Sequence, residues 1–330
     1  MEQKPLVTII VLNYNGKHFL EKCLTSLQTP SFPKQDYHTL FVDNASQDGS
    51  VAFVRERFPT VSILEHPKNY GFCQGNNLAI KTCKSKYILL LNNDLHVHKD
   101  FLRNLFDVME IDPKIGCCGG DEYGYDDDVL TPKGVVRETS WIGAGATIYR
   151  KEALDQTGLL DQTFFLNCED VDISWRLKLH NWRIFQNEKA IFYHAGKDKK
   201  INILSSGLFY VWRNRIFLLI KFASISQMIK SFSLYGSLLF KIKNNKTISL
   251  SQTPADDKIH NTSNRYNLQK DLLKNLRSVL LKMHFVFKIF FSVFIHIPEM
   301  LFKRYMIKKL IADQKTVDSW VDYVDNSLKK

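Results

Sequence analysis

Two hydrophobic periods alternate along the N-terminal part of the chain. Apolar runs of strand length at residues 6–12, 40–42, 61–64 and 87–91 are separated by segments with helical spacing, such as residues 17–27. The runs are nearly continuous rather than alternating, the pattern of strands covered on both faces. Strands alternating with helices predict an α/β fold on a mostly parallel sheet flanked by helices. Ligands of such sheets bind beyond the carboxyl ends of the strands, so the chemistry is expected in the residues that follow each run.

After residue 205 the period becomes helical throughout. Placed at about 100° per step, His284, Lys288, Ser292, His296, Glu299 and Lys303 share one arc, and the rest of the segment is mostly Phe, Val and Ile. Pro298 is expected to kink or divide this helix. A second helical block, residues 209–240, is interrupted by Arg213, Arg215, Lys221 and Lys230. Between the blocks, residues 244–265 have the polar composition of a flexible loop. The expected organisation is an α/β domain over residues 1–205 and a basic, amphipathic helical region over residues 206–330.

Charge sharpens that division. Residues 1–196 hold 21 basic against 25 acidic side chains, net −4, whereas residues 197–330 hold 24 against 9, net +15. An acidic α/β part suits an enzyme core, and a basic part with apolar helical faces suits an anionic membrane surface. Packing of the same helices as ordinary core is the alternative. Aromatics cluster on the apolar arc instead of interleaving with basic residues, so no nucleic-acid partner is expected. No stretch free of Asp, Glu, Lys and Arg exceeds twelve residues, short of the roughly 20 apolar residues of a spanning helix. The chain runs from Met1 into its first apolar run without a basic leader and cleavage pattern, so the expected location is cytoplasmic, peripheral on the inner face of a membrane. The six cysteines, all between Cys23 and Cys168 and without a CxxC pair, read as reduced core residues.

The residues after the apolar runs are polar. Asn13-Tyr14-Asn15-Gly16 follows the first, and Asp43-Asn44-Ala45-Ser46 the second. Both make turns and caps, and side by side they offer hydrogen bonds to a nucleoside. Asn69-Tyr70-Gly71-Phe72 leads through Asn76 into a helix and allows close backbone approach to a phosphate or sugar. The fourth run ends at Asn92-Asn93-Asp94, where a carboxylate can hold a hard cation together with diphosphate oxygens. Gly143-Ala144-Gly145 follows Trp141. Glu169-Asp170-Val171-Asp172 places three carboxylates at a helix start, where they serve as caps or as an acid/base pair. Residues 191–193 end at His194, which could ligate a metal. The acidic stretch beginning at Asp121 reads as a mobile loop reaching to residue 139.

In this order the segments resemble glycosyltransferase family 2, with its GT-A fold, over about residues 5–220, and in particular the branch holding rhamnosyltransferases and galactofuranosyltransferases. The resemblance implies a nucleoside diphosphate sugar donor, dTDP- or UDP-linked, contacted by Asn13, Tyr14, Asp43, Asn44, Asn69, Gly71, Asn76, Asn92, Asn93 and Asp94. It implies a divalent cation, Mg or Mn, on Asp94 and His194, with Asn92 where the family often has a further carboxylate. It implies Asp170 as the base that activates the acceptor hydroxyl, Glu169 as the reserve candidate, and inversion at the sugar carbon. Trp141 and Gly143 fall where the family borders the acceptor, although core packing explains the Trp141 ring equally well. The acceptor so implied is a glycan, lipid-linked, in cell-surface polysaccharide synthesis, and rhamnose is the first sugar suggested. A noncatalytic GT-A-like scaffold is the rival reading, motivated by Asn92.

Overall fold

The computed structural model describes residues 4–127, 134–195, 206–244 and 266–326. By internal compactness the chain divides into two units, Met1–Lys199 and Lys200–Lys330. The loop expected at residues 244–265 lies, after Asn244, outside the described residues.

The four apolar runs form four parallel neighbours: β1 (Val7–Asn13), β2 (Tyr37–Asp43), β3 (Ser62–Glu65) and β4 (Tyr87–Asn92). α1 (Lys17–Ser26), α2 (Ser50–Arg57) and α3 (Gly71–Thr82) connect them. β2 extends three residues beyond its apolar run because all seven of its residues pair with β1, and the Tyr37 hydroxyl finds the Leu27 carbonyl at 3.0 Å. β5 (Leu95–Val97), α4 (Phe101–Ile111), β6 (Ile115–Gly124), β7 (Val136–Glu138), β8 (Ala146–Arg150), α5 (Lys151–Thr157), α6 (Glu169–Leu179) and β9 (Arg183–His194) complete the unit.

The strand order is β3-β2-β1-β4-β8-β6-β9-β5, with β7 on β9. β8 runs against both of its neighbours, so β6 and β9 point the same way as β1 to β4. Six of the nine strands therefore share a direction, which makes the sheet mostly parallel. Val7, Ile9 and Val11 of β1 and Leu89 and Leu91 of β4 pack into one core with Leu20 and Leu24 of α1 and Leu105 and Met109 of α4. Ile10, Ile88 and Leu90, pointing the opposite way, are buried too, and hence the apolar runs do not alternate.

β6 corrects the first part of the loop expected over residues 121–139, of which residues 128–133 lie outside the described residues. Asp121 to Gly124 pair with Ile191 to His194 of β9, past a register shift after Gly119. Backbone pairing with β9 overrides the acidic composition, and the irregularity re-aims the side chains that follow.

The second unit is helical: α7 (Ser206–Phe222), α8 (Ile225–Asn244), α9 (Tyr266–Lys308) and α10 (Gln314–Asn326). α9 packs along α7, with Phe217 beside His296 and Arg304 donating to the Ile220 and Ala223 carbonyls at 2.9 and 2.7 Å. Its inward stripe is Ile289, Val293, Met300 and Ile307. That stripe continues on both sides of Pro298, so α9 runs through the proline as one helix instead of dividing there. α10 is held by three carboxylates at i, i+4 and i+7 spacing: Asp318 accepts from Ser224, Asp322 from Gln227 and Lys230, and Asp325 from Ser231.

Candidate active site

Because β1, β2, β4, β6 and β9 are co-directional, their last residues share one edge of the sheet. Asn13, Asp43, Asn92, Gly124 and His194 stand there. α6 runs back against β9, so its first residues, Glu169 and Asp170, start at the same edge. Two backbone bonds tie the loops together: Asn92 N–H donates to the Gly145 carbonyl at 2.9 Å and Phe72 N–H to the Phe165 carbonyl at 2.8 Å. A third link, from Ile142 N–H to Ser174 Oγ at 3.2 Å, holds the segment after Trp141 against α6.

At the ends of β1 and β2 the polar side chains bond to one another. Asn13 donates to Asp43 Oδ1 at 3.1 Å and to Ser46 Oγ at 3.0 Å, while its own oxygen accepts from Asn93 Nδ2 at 2.6 Å. Asp43 Oδ2 accepts from Ser46 N–H at 2.7 Å. A carboxylate has about four lone-pair sites, so each Asp43 oxygen can still receive a donor. A Cβ at Gly16 would lie 2.0 Å from Asn93 Nδ2, so any side chain there would displace the Asn93 amide. Tyr14 stands 51% exposed at the end of β1, an aromatic face free to stack on a base.

The next connection is built inward. Asn69 caps Gly71 N–H at 2.8 Å, and Asn44 Nδ2 donates to the Gly71 carbonyl at 3.0 Å. Gly71 has φ +73°, and a Cβ there would meet the Phe165 ring at 2.5 Å. Asn76, fully buried, donates back to Phe72 within α3. The structure therefore places Asn44 and Asn76 as supports of the strand–helix connection and keeps Asn69 exposed beside them.

Asp94 and His194 meet across the edge, with Asp94 Oδ2 3.3 Å from His194 Nε2. Two atoms on one cation at about 2.1 Å each, at right angles, stand about 3 Å apart, so the pair has the spacing of adjacent ligands. Glu122 Oε1 lies 2.8 Å from His194 Nδ1. A carboxylate behind the far ring nitrogen is the usual device for fixing a ligating imidazole. Hydrogen bonds to Asp94 and Glu122 push His194 up to about 9. The two carboxylates thus draw positive charge to this spot, as a proton on the ring or as a cation. Among the described residues no three His, Cys, Asp or Glu side chains converge as a complete cage. Two protein ligands suit a hard cation that takes its remaining ligands from phosphate oxygens.

The start of α6 separates its three carboxylates. Asp172, fully buried, receives Arg176 Nε at 2.8 Å, and Arg176 in turn donates to the carbonyls of Thr157, Gly158 and Leu159. Glu169 is 7% exposed, and its Oε2 has no partner among the described residues. Burial, followed by the charge of Asp170, pushes its pKa to about 8. Asp170 is half-buried and accepts from Val171 N–H at 2.8 Å. The turn into this helix is strained, with Phe165, Asn167 and Cys168 at φ between 62° and 68°. Asn15 and Ala45, in the loops after β1 and β2, also have positive φ. Such residues cost about 1–3 kcal/mol each and cluster where a site must hold its shape. Trp141 is half-buried, and Gly143 is exposed with open space around its α-carbon.

Residues 8–171, which hold these strand ends and the start of α6, match the family described as Glycosyl transferase family 2. They form a glycosyltransferase family 2 domain. Glycosyltransferase AglE of Haloferax volcanii is 29% identical to this chain over 101 residues, covering 30% of this chain and 33% of that protein. The chain thus spans about a third of AglE. The N-acetylglucosaminyl-diphospho-decaprenol L-rhamnosyltransferase of Mycobacterium tuberculosis is 21% identical, covering 58% of this chain and 78% of its own. Mannosyltransferase PcManGT of Pyrobaculum calidifontis, solved in complex with GDP-Man and Mn2+, aligns over 99% of this chain and 87% of its own, with a TM-score of 0.51 and 15% identity. That likeness is one of fold, and the fold of this family 2 domain is GT-A. Glu122 and Ser46 were not legible as partners of the site in sequence: one lay in an acidic stretch, and the other read as a turn residue.

Proposed function

We propose that this chain is an inverting, metal-dependent glycosyltransferase that moves a sugar, rhamnose first, from a dTDP- or UDP-linked donor to a lipid-linked glycan at the inner face of a membrane. The observation that carries the reading is the pairing of Asp94 with His194, backed by Glu122, on the edge where Asp170 opens α6. The family 2 domain supports transfer from a nucleotide sugar, and the mycobacterial relative supports rhamnose and a lipid-linked acceptor. Tyr14 stacks on the base, while Asp43, steadied by Asn13 and Ser46, accepts a hydrogen bond from it. Asn92 and Asn93 border the ribose, and Trp141 and Gly143 border the acceptor.

Asp94 and His194 would hold Mg or Mn, which when bound screens the charge of the departing diphosphate. Asp170 takes the proton from the acceptor hydroxyl as the acceptor oxygen bonds to the anomeric carbon. The bond from that carbon to the phosphate oxygen breaks, the nucleoside diphosphate leaves with the electron pair, and the centre inverts. Glu169 is the less available base at neutral pH because it is mostly protonated there. Direct assay tests this: Asp170→Asn should lower transfer by about 10² to 10⁴ while donor affinity stays. Transfer at the parental rate would overturn the assignment.

A further inference from the structure

The stripe that seats α9 against α7 is narrow, and the opposite side of the helix is aromatic. Phe287, Phe294 and Phe302 are 68%, 71% and 64% exposed, and Phe290, Phe291 and Tyr305 lie exposed on the same side. On the helical projection these six fall within about 120°, centred opposite Ile289, Val293, Met300 and Ile307. From Phe287 to Tyr305 the face runs about 27 Å at 1.5 Å per residue. A soluble surface rarely shows so long an apolar face uncovered. Among the described residues no helix is long and apolar enough to cross a membrane, so the face does not belong to a spanning segment.

Charge selects the occupant. Between His284 and Leu310 the chain has five basic residues and one acidic residue. Arg304 is turned inward onto the Ile220 and Ala223 carbonyls, and Lys303 pairs with Glu299 at 2.7 Å. Lys308 and Lys309 are exposed at the C-terminal end of the aromatic face, whereas Lys288, on the polar arc, holds its Nζ 4.9 Å from the Phe209 ring of α7. A second copy of the chain brought face to face would set Lys308 and Lys309 against one another or against more aromatics, because the face carries no acidic residue and Glu299 lies on the polar arc. An anionic lipid surface supplies both what the rings and what the lysines lack.

We propose that the outward face of α9 lies in the plane of an anionic lipid surface, with its phenyl rings in the acyl boundary and Lys308 and Lys309 among the headgroups. The inference deepens, and rests on, the membrane-surface part of the proposed function, and it is independent of the transfer chemistry. The test is flotation of the full chain on vesicles of phosphatidylcholine alone and with about one quarter phosphatidylglycerol, alongside size-exclusion mass measurement. The parent chain should float at least tenfold better on the anionic vesicles, and less well as salt rises. Phe290→Ser with Phe294→Ser, both outward, should lower flotation at least tenfold. Lys308→Glu with Lys309→Glu should remove the preference for anionic lipid and leave the aromatic face intact. Equal flotation of the parent and the Phe pair would overturn the proposal. So would a parental dimer that the Phe pair dissociates, which would make a second copy the occupant. Donor binding, measured on the same samples, separates the two readings: lost flotation with intact donor binding defeats only the docking, and intact flotation without donor binding defeats only the transfer reading.

Discussion

Adjacent carboxyls at the start of α6 differ in burial, and burial holds a proton on Glu169. Glu169 is enclosed and keeps its proton to about pH 8, whereas Asp170 is half-buried at the site's edge. The raised value has a consequence for stability. Glu169 moves from 4.5 unfolded to about 8 folded, so between these values the folded chain holds more protons than the unfolded chain. Its contribution is whole below about pH 4.5 and is lost as pH rises through about 8. Glu169→Gln, always neutral, should therefore flatten the fall in Tm between pH 5 and 8; thermal scans of both proteins across that range would show parallel curves if Glu169 titrates normally. Asp94→Ala should weaken Mn-dependent donor binding by about tenfold or more and leave the remainder insensitive to chelator. Unchanged chelator sensitivity in that variant would remove Asp94 from the cation site. At this scale Asn13, Asp43, Asp94 and His194 were legible, because each ends an apolar run. Glu122 was not, because its role depends on β6 lying beside β9, a pairing distant in sequence.

Among the elements, α6 is placed by its own ion pair. Asp172 and Arg176 stand one turn apart inside the domain, and Arg176 fastens the carbonyls of residues 157–159. Removing one partner leaves the other charge buried, which costs about 3–5 kcal/mol. Asp172→Ala should lower Tm by roughly 6–20 °C, at about 2–4 °C per kcal/mol for a domain of this size, and a shift under 2 °C would show the pair to be dispensable. The strained turn at Phe165, Asn167 and Cys168 fixes where the helix begins, and propensity points only to Asn167, since Phe165 and Cys168 rarely take positive φ. β1, β2 and β4 were legible because burial on both faces leaves an unbroken apolar run, and β3, the half-exposed edge strand, by a short apolar run. The end of β6 was not, because its pairing with β9 is made by backbone groups and does not depend on apolar side chains. Proline rules expected a kink or a division at Pro298, and α9 continues through that residue as one helix.

Over the whole molecule, charge and chemistry are divided between two units. The acidic family 2 domain carries the strand-end site, and the basic helical unit carries an outward aromatic face. Charge counts and the change of hydrophobic period near residue 205 set the expected division, and compactness separates Met1–Lys199 from Lys200–Lys330. Only exposure in the folded chain could tell which side of α9 packs on α7 and which faces out, because nearly every arc of that helix is apolar. The central claim is that the strand-end edge binds a nucleoside diphosphate sugar together with a divalent cation. The most direct measurement is calorimetric titration with a panel of thymidine and uridine diphosphates and their sugars, with Mn present and again after chelation. Selective binding that chelation weakens at least tenfold is the expected result, and preference between the two series narrows the sugar. Absence of binding by every member at millimolar concentration would contradict the account and leave a GT-A scaffold in its place.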